Sequence, residues 1–217
     1  MGWHFVGLDL GQSRDFTAVV VLERAELTGA WDAVMMAWKK TVRLRLRYLE
    51  RMALGTSYPE MVERVVTVTR SPELAGRCHL IVDGTGVGRP VIDLLRKSGL
   101  ACQLLPVIIT GGDMENSEQG WYRVPKKDLI SGLQVLLQRG GLQIAAGLEL
   151  GPTLERELGD MEVRRTPTGR EQYGAWRTGQ HDDLVLALAL ACWGARKMYP
   201  NPPAGEEGYW RHPVLRW

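Results

Sequence analysis

The segment HLIVDGTGVGRPVIDLLRK, residues 79–97, decides the fold class. It begins with His79–Val82, a short apolar run that predicts a buried strand, and it ends in Arg89–Lys97, whose apolar residues recur at helical spacing. Between the two, Asp83 opens a turn that is rich in glycine. A strand that leads directly into a helix is the unit from which α/β sheets are built. The segment therefore predicts an α/β protein with a carboxylate at the end of a buried strand.

Strand and helix patterns continue on both sides of this segment. Three runs of strand type and one amphipathic helix precede it, and alternating strands and helices follow it. A meander followed by such alternation predicts a mixed sheet with helices on both faces, which is the ribonuclease H-like arrangement. The predicted strands are Trp3–Leu10, Phe16–Leu22, Trp31–Tyr48, His79–Val82 and Ala101–Ile109, with a late β-hairpin over Met161–Trp176; the predicted helices are Tyr58–Thr69, Arg89–Lys97, Pro125–Arg139, Glu149–Leu158 and Asp182–Lys197.

Length and composition are those of one globular domain. The chain has 217 residues, of which 45% are hydrophobic and 24% are charged. A domain of this size can be stable without disulfides or a structural metal. We expect one folded domain over residues 1–199, followed by a tail over residues 200–217 that begins with proline and glycine.

The cysteines and the apolar segments predict the compartment. Cys78, Cys102 and Cys192 are isolated, without CxxC or Cys/His spacing, and this pattern indicates buried free thiols in a reducing compartment. No signal peptide is recognisable at the first residues, and the longest apolar run, Leu184–Ala195, is too short to span a bilayer. We therefore expect a cytoplasmic protein with no membrane partner.

The net charge limits how the protein could meet a nucleic acid. It is only +2 at pH 7. Neutralisation of phosphates supplies most of the non-specific affinity for DNA, so a protein that finds DNA unaided is usually far more basic. If the substrate is a nucleic acid, another domain or subunit is expected to deliver it.

Four carboxylates fall at the ends of predicted elements. Asp9 ends the first strand within VGLDLG, Asp83 ends the fourth strand, and Asp182 and Asp183 begin the last helix within HDDLVLALALA. Unpaired charges are costly in buried strands. If the first and fourth strands are neighbours, these acids converge, and their repulsion must be offset by cations. Oxygen ligands without cysteine or clustered histidine favour Mg²⁺ or Mn²⁺, and two such ions roughly 4 Å apart can promote hydrolysis of a phosphodiester.

Each carboxylate also has an ordinary structural interpretation. Asp83 before Gly84 could be a turn residue, and Asp182 or Asp183 could cap the last helix. Chance placement of all of them at mutually reachable positions is the weaker interpretation. The glycine-rich turn from Gly84 to Gly88 does not fit GxGxxG, and no Lys-Ser/Thr follows it, so a tight turn beside the metals is favoured over a cofactor site.

Four segments, in this order, carry a resemblance to a known family. They are VGLDLG (6–11) with the strand FTAVVVL (16–22), LIVDGTGVGRPVIDLLR (80–96), VPKKDLISGLQVLLQRGGLQI (124–144) and HDDLVLALALA (181–191). Together they resemble the nuclease domain of the large terminase subunit of tailed bacteriophages, over most of the chain. The resemblance implies that Asp9, Asp83 and Asp183 are metal-binding carboxylates and that Asp182 is a neighbouring acid that assists. Which of Asp182 and Asp183 is the direct ligand stays open, because both stand at the helix start.

The resemblance also implies an activity and partners. It implies a ribonuclease H-like nuclease domain over residues 1–199, which cuts double-stranded DNA of a viral concatemer in the host cytoplasm with two Mg²⁺ or Mn²⁺ ions. The implied partners are double-stranded DNA, a packaging ATPase domain or subunit, the portal and the small terminase subunit. The phosphate-binding loop GxxxxGK[ST] of the family's ATPase does not occur in the sequence. The chain is then expected to be an excised domain or a nuclease encoded apart from its motor.

Basic residues near the acids are candidates for contact with DNA. Lys126 and Lys127 occupy the first turn of a predicted helix, where cations oppose the helix dipole; either one of them reaches the acidic site or a phosphate, or the pair is simply solvated. Stronger candidates belong to the late hairpin, whose arginines are Arg164, Arg165, Arg170 and Arg177. Alternation also places three arginines on one face of the third strand, where a solvent-facing edge is favoured over phosphate contact; these are Arg43, Arg45 and Arg47.

Other functions are compatible with parts of the sequence. VGLDLG also resembles the first phosphate-binding segment of the actin, Hsp70 and sugar-kinase ATPases, but those need two such lobes and 217 residues hold one. A Holliday-junction resolvase or a transposase-like nuclease would use the same acids. A silent docking module would carry them without binding metal.

Overall fold

The computed structural model describes residues 2–11, 15–32, 36–86, 88–165, 171–174 and 181–199. Within these ranges the chain forms ten strands and five helices. The strands are β1 (Trp3–Asp9), β2 (Ala18–Asp32), β3 (Ala37–Arg51), β4 (Cys78–Asp83), β5 (Gln103–Thr110), β6 (Asn116–Glu118), β7 (Trp121–Pro125), β8 (Leu142–Ile144), β9 (Glu162–Arg165) and β10 (Glu171–Gly174). The helices are α1 (Tyr58–Thr69), α2 (Gly88–Lys97), α3 (Lys126–Gln138), α4 (Gly151–Asp160) and α5 (Asp183–Met198).

Eight of these strands form one mixed sheet in the order β6-β7-β5-β4-β1-β2-β3-β8. β1 lies near its centre, antiparallel to β2 and parallel to β4, and the parallel pairing continues through β5 to β7. β9 and β10 form a separate antiparallel hairpin. The α/β class, the mixed sheet and the late hairpin predicted from the sequence are thereby confirmed.

A core lies on each face of this sheet. Phe5 and Ile81 belong to the core that α3, α4 and α5 complete, whereas Val6 and Leu80 belong to the core under α1 and α2. Successive residues of a strand point to opposite faces, so a central strand covered on both sides reads as a continuous apolar run. Helices on both faces were predicted and are confirmed.

α5 is buried on all sides, because it lies between the sheet and two other helices. Every residue from Asp183 to Ala195 is buried, and the helix contacts β1, β2 and β4 as well as α3 and α4. Gly7 in β1 permits this approach, since a Cβ atom there would overlap the backbone carbonyl of Ala187. The glycine of VGLDLG therefore sets how closely the last helix lies on the central strand.

Several predicted boundaries were wrong. Trp31 belongs to the end of β2, and β3 runs from Ala37 to Arg51, because the two strands continue as a ribbon beyond the part of β2 that pairs with β1. β6, β7 and β8 were not predicted from the sequence. These strands have three to five residues, too few for a clear alternation of apolar and polar positions.

The arginines of β3 contradict the predicted solvent-facing edge. β8 pairs with β3 and covers this edge, and Arg43 and Arg45 are buried. The Arg43 side chain donates to the carbonyl oxygen of Gly140, and Arg45 donates to Gln143 at 3.3 Å. Arg47 forms an ion pair with Glu23 at 3.4 Å. Strand alternation identified the shared face correctly, but the polar partners that let arginines be buried come from residues distant in sequence.

The cysteines agree with the prediction of free thiols. Cys78 and Cys192 are buried, Cys102 is half-buried, and all three are free. No helix in the described ranges is both long and apolar enough to cross a membrane. The predicted tail, residues 200–217, lies outside the described residues.

Candidate active site

Asp9 and Asp83 lie side by side at one end of the sheet. β1 and β4 run parallel with Leu8 paired to Val82, so the register continues directly to the two aspartates. Neighbouring strands are about 4.8 Å apart. Both residues continue the alternation of Phe5 and Ile81 and therefore face α5. The carboxyl ends of two adjacent parallel strands thus present two carboxylates to the same side.

The start of α5 adds two more carboxylates. Asp182 is the N-cap residue of this helix and Asp183 is its first residue. The charges of Asp182, Asp183 and Asp83 each raise the pKa of Asp9. The four predicted acids therefore lie close enough to interact electrostatically, although they come from three separate parts of the sequence.

The electrostatics of the site disfavour the ionised forms of Asp9, Asp83 and Asp183. Burial is the first cause that raises the pKa of Asp9 well above its ordinary value of 3.8, and repulsion by the other three acids is the second. Burial also raises the pKa of Asp83 and of Asp183. Their side chains are nearly inaccessible, since Asp83 is 9% exposed and Asp183 is 5% exposed. A cation in this position would relieve both effects.

Two basic side chains already supply part of this compensation. The Lys126 ammonium group lies 2.8 Å from an oxygen of Asp182, and its charge lowers the pKa of Asp9 and of Asp83. Arg51 donates from Nε to Asp183 Oδ2 at 2.8 Å and from Nη2 to Oδ1 at 3.2 Å. Lys126 thus contacts the acidic site, which was one of the two interpretations open for this residue.

Asp83 has an ordinary structural role as a turn residue, whereas Asp182 does not act as a helix cap toward the described residues. Asp83 does act as a turn residue, because its Oδ1 accepts a hydrogen bond from the backbone N–H of Thr85 at 2.8 Å. Among the described residues at the start of α5, the Asp182 side chain caps no backbone amide. The carboxylate of Asp182 is therefore not explained by helix capping.

The residues fit a divalent cation by the chemistry of their donors. Four carboxylates offer only oxygen ligands, which Mg²⁺ and Mn²⁺ prefer. Within the described part of the chain, no three acidic, histidine or cysteine side chains are already arranged around a common point as a metal cage. The oxygens of Asp182 and Asp183 instead accept hydrogen bonds from Lys126 and Arg51. An entering cation therefore has to bind the lone pairs that these hydrogen bonds leave available, or displace the two groups.

Several solved structures with a similar fold are terminase nucleases. The large terminase nuclease of thermophilic phage G20c with bound magnesium matches with a TM-score of 0.59 and 26% identity, over 88% of this chain and 81% of that chain. The Thermus phage P74-26 large terminase nuclease domain matches with a TM-score of 0.60 and 22% identity, over 96% and 83%. The human cytomegalovirus terminase nuclease domain, soaked with Mn, matches with a TM-score of 0.51 and 13% identity, over 88% and 83%.

The chain has the fold of the large terminase nuclease domains. No protein-family model and no curated protein matches the sequence. The likeness is therefore carried by the three-dimensional arrangement, and the ribonuclease H-like sheet predicted from the order of strands and helices is confirmed.

In this terminase-nuclease fold the predicted DNA-contacting residues fall into three groups. Lys126 lies at the acids, whereas Lys127 pairs with Asp113 at 2.7 Å. Arg164 and Arg165 belong to β9 of the late hairpin. The last two, Arg170 and Arg177, lie outside the described residues. Contact of any of them with DNA stays a prediction.

Sequence reasoning missed two residues of the site, Arg51 and Glu157. Glu157 lies in α4, is 5% exposed and contacts Arg51. It follows Leu154 by three residues and so falls on the buried face of the helix, an unusual place for an acid. The three-residue spacing from Leu154 could therefore have identified Glu157 as a buried acid from the sequence. No comparable pattern identified Arg51, because the predicted third strand ended before this residue.

The pKa of Glu157 in this terminase-nuclease fold predicts a dependence of stability on pH. Burial raises it to about 7 from 4.5, with repulsion by Asp183 as the next cause. An acid with a raised pKa binds its proton more tightly when folded, so its stabilising effect is complete below the unfolded pKa and is lost as pH rises through the folded pKa. We expect the metal-free protein to lose stability through Glu157 between about pH 5 and about pH 8.

The measurement compares Glu157→Gln with the unmodified protein by calorimetry in a chelator. Glutamine does not ionise, so the Tm of this variant relative to the unmodified protein should rise with pH, by roughly 2–4 °C for each kcal/mol of stability that the unmodified protein loses through Glu157. The comparison cancels the opposite contribution of His4 and His79, whose pKa values are lowered mainly by burial. A difference in Tm that stays constant or falls over this range would contradict the assignment.

Proposed function

We propose that this protein is a metal-dependent endonuclease that cuts double-stranded DNA of a viral concatemer during genome packaging. The observation that carries the proposal is the convergence of four carboxylates, from two parallel strand ends and one helix start, on the buried face of a terminase-nuclease fold. Related support comes from solved terminase nucleases with bound magnesium and with bound cobalt, at 26% identity to this chain.

The proposed ligands are the carboxylates of Asp9, Asp83 and Asp183, with Asp182 as a direct or assisting acid. When bound, two Mg²⁺ or Mn²⁺ ions would activate water and stabilise the departing oxygen of a phosphodiester. The burial of Asp83 and Asp183 keeps their oxygens in a poorly solvated environment, where electrostatic attraction to a cation is strong. The two parallel strands fix Asp9 and Asp83 at a constant separation.

The basic residues beside the acids have distinct proposed tasks. Lys126 neutralises part of the negative charge through Asp182 and is placed to meet a phosphate of the substrate. Arg164, Arg165, Arg170 and Arg177, together with Lys127, are proposed as further contacts to the DNA backbone. Phosphate contacts of this kind position the nucleic acid without reading its sequence, so we propose cleavage with little sequence preference.

The low net charge supports a partner that delivers the DNA, and the resemblance to large terminase nucleases implies which partners these are. At +2, the chain has little electrostatic attraction for free DNA, because affinity for phosphates scales with the number that are neutralised. We propose that a packaging ATPase domain or subunit, with the portal and the small terminase subunit, presents the DNA. We also propose that residues 1–199 form the nuclease domain and that residues 200–217 form a tail.

Nicking of supercoiled plasmid tests the proposal. Incubation with Mn²⁺ or Mg²⁺ should convert the plasmid to nicked and linear forms with 5′ phosphate ends, and a chelator should prevent this. A four-way junction and a linear duplex of the same length are compared in the same experiment. No cleavage of any DNA with either ion would contradict the nuclease assignment, and strong preference for the junction would favour a resolvase.

A further inference from the structure

The side chain of Arg51 is held from three directions at the end of β3. Its guanidinium group donates hydrogen bonds to both oxygens of Asp183, at 2.8 and 3.2 Å, and its Nη2 also donates to Glu157. Its Cζ lies 4.9 Å from the ring centroid of Phe16, and this ring in turn contacts His181 edge-on at 5.0 Å. A guanidinium group with two hydrogen-bond partners and an aromatic neighbour has little rotational freedom.

Glu157 caps the start of α5, where the side chain of the N-cap residue Asp182 makes no capping hydrogen bond among the described residues. Its Oε2 accepts from the backbone N–H of Leu184 at 3.1 Å and of Val185 at 3.4 Å. These are first-turn amides of α5, which have no partner within the helix itself. The carboxylate of Asp182 is used instead in the ion pair with Lys126. A carboxylate from α4 thus fixes the helix end that carries the predicted metal ligands.

We propose that Arg51 and Glu157 are positioning residues for Asp183. Arg51 holds the carboxylate in one orientation, and Glu157 holds both Arg51 and the first turn of α5 in place. Each Asp183 oxygen accepts one hydrogen bond from the Arg51 guanidinium group and keeps lone pairs that can bind a cation. The inference rests on the proposed function, since it assumes that Asp183 is a metal ligand.

Substitution of Arg51 by lysine separates the orientation of the Asp183 carboxylate from the positive charge beside it. A lysine at position 51 retains the positive charge but cannot present two donors in the fixed plane of a guanidinium. Residues that orient metal ligands typically contribute 10- to 100-fold to metal affinity or activity. We therefore expect Arg51→Lys to weaken Mn²⁺ binding by about tenfold or more. Nicking should fall at low Mn²⁺ and recover to within about threefold at saturating Mn²⁺.

Glu157→Gln and Glu157→Ala separate the two tasks of Glu157. An amide oxygen can still accept from the two backbone amides, whereas alanine leaves them without this acceptor. In the metal-free protein, we expect hydrogen exchange of the Leu184 and Val185 amides to be roughly tenfold faster in Glu157→Ala and nearly unchanged in Glu157→Gln. While its oxygen caps α5, the NH₂ group of glutamine faces a donor of Arg51, so we expect Glu157→Gln to weaken Mn²⁺ binding, by less than Arg51→Lys does.

The experiment combines Mn²⁺ calorimetry, nicking over a range of Mn²⁺ concentrations, and hydrogen exchange without metal. Arg64→Lys is the matched control, because Arg64 also contacts a carboxylate, that of Glu50 at 2.9 Å, but on α1; it should leave Mn²⁺ affinity unchanged. Unchanged Mn²⁺ affinity in Arg51→Lys would overturn the role of Arg51. Unchanged Mn²⁺ affinity in Glu157→Gln would overturn the hold of Glu157 on Arg51, and a loss of affinity larger than in Arg51→Lys would make Glu157 a ligand and overturn its positioning role.

Failure of this inference is distinguishable from failure of the proposed function. If the unmodified protein nicks DNA with Mn²⁺ while Arg51→Lys binds the ion equally well, only the positioning role is wrong. If the unmodified protein neither binds Mn²⁺ nor nicks DNA, the nuclease proposal is wrong. The exchange of the Leu184 and Val185 amides in Glu157→Ala still tests the cap in that case, because it requires no metal.

Discussion

Replacement of Asp83 by alanine is expected to lower nicking of plasmid DNA by about 10³-fold or more. A catalytic metal ion contributes several kcal/mol to stabilisation of the transition state, and about 1.4 kcal/mol corresponds to a factor of ten in rate. Asp83 supplies one of the two carboxylates at the adjoining ends of β1 and β4. The rate is measured with saturating Mn²⁺ and again with saturating Mg²⁺.

The loss should not come from unfolding. Burial raises the pKa of Asp83, so its ionised form is unfavourable in the folded protein, and removal of the charge should leave the stability equal or higher. Asp83→Asn provides a second variant, since it can still accept from the Thr85 amide. Asp93→Ala is the control, because Asp93 is an exposed acid on α2 paired with Arg96. Full activity of Asp83→Ala would refute the role assigned to this residue.

Replacement of Gly7 by alanine is expected to destabilise the fold by about 3 kcal/mol or more. The added Cβ would overlap the carbonyl oxygen of Ala187, and backbone atoms cannot rotate away as a side chain can. α5 would have to move off β1, and overpacked cores typically cost 1–3 kcal/mol even without a backbone clash. For a chain of this size the change corresponds to a fall in Tm of roughly 6–12 °C, measured by calorimetry.

The matched control for this prediction is Gly159→Ala. Gly159 lies in α4, and an added Cβ would meet no atom within 4 Å apart from the adjoining residues and the backbone of the helix itself. Alanine should therefore stabilise the helix, by roughly 0.5–1 kcal/mol. The two glycine substitutions are thus expected to have opposite signs. Equal stability of Gly7→Ala and the unmodified protein would show that α5 does not depend on this close approach.

The proximity of the four acids could be predicted from the sequence because each stands at the boundary of a strongly patterned element. VGLDLG and HLIVD are short apolar runs that end in aspartate, and HDD opens a long apolar helix. At strand ends and helix starts, the direction of the backbone determines which side chains lie close together. The one further assumption was that the first and fourth strands are neighbours, and the parallel pairing of β1 with β4 confirms it.

The partners of these acids could not be predicted in the same way. Arg51 and Glu157 meet Asp183 across 132 and 26 residues of sequence, through the packing of β3 and α4 around the start of α5. The burial of Arg43 depends likewise on Gly140, in the loop that precedes β8. Local pattern identifies the face on which a side chain lies, but it does not identify which distant group lies opposite.

The central claim is that these carboxylates hold divalent cations, and a crystal soaked in Mn²⁺ tests it most directly. Anomalous scattering peaks are expected within roughly 2–2.6 Å of the carboxylate oxygens of Asp9, Asp83 and Asp183. In Asp83→Ala crystals soaked in the same way, these peaks should be weaker or absent. Peaks located only elsewhere on the protein, or no peak beside Asp9 and Asp83 at saturating Mn²⁺, would contradict the account.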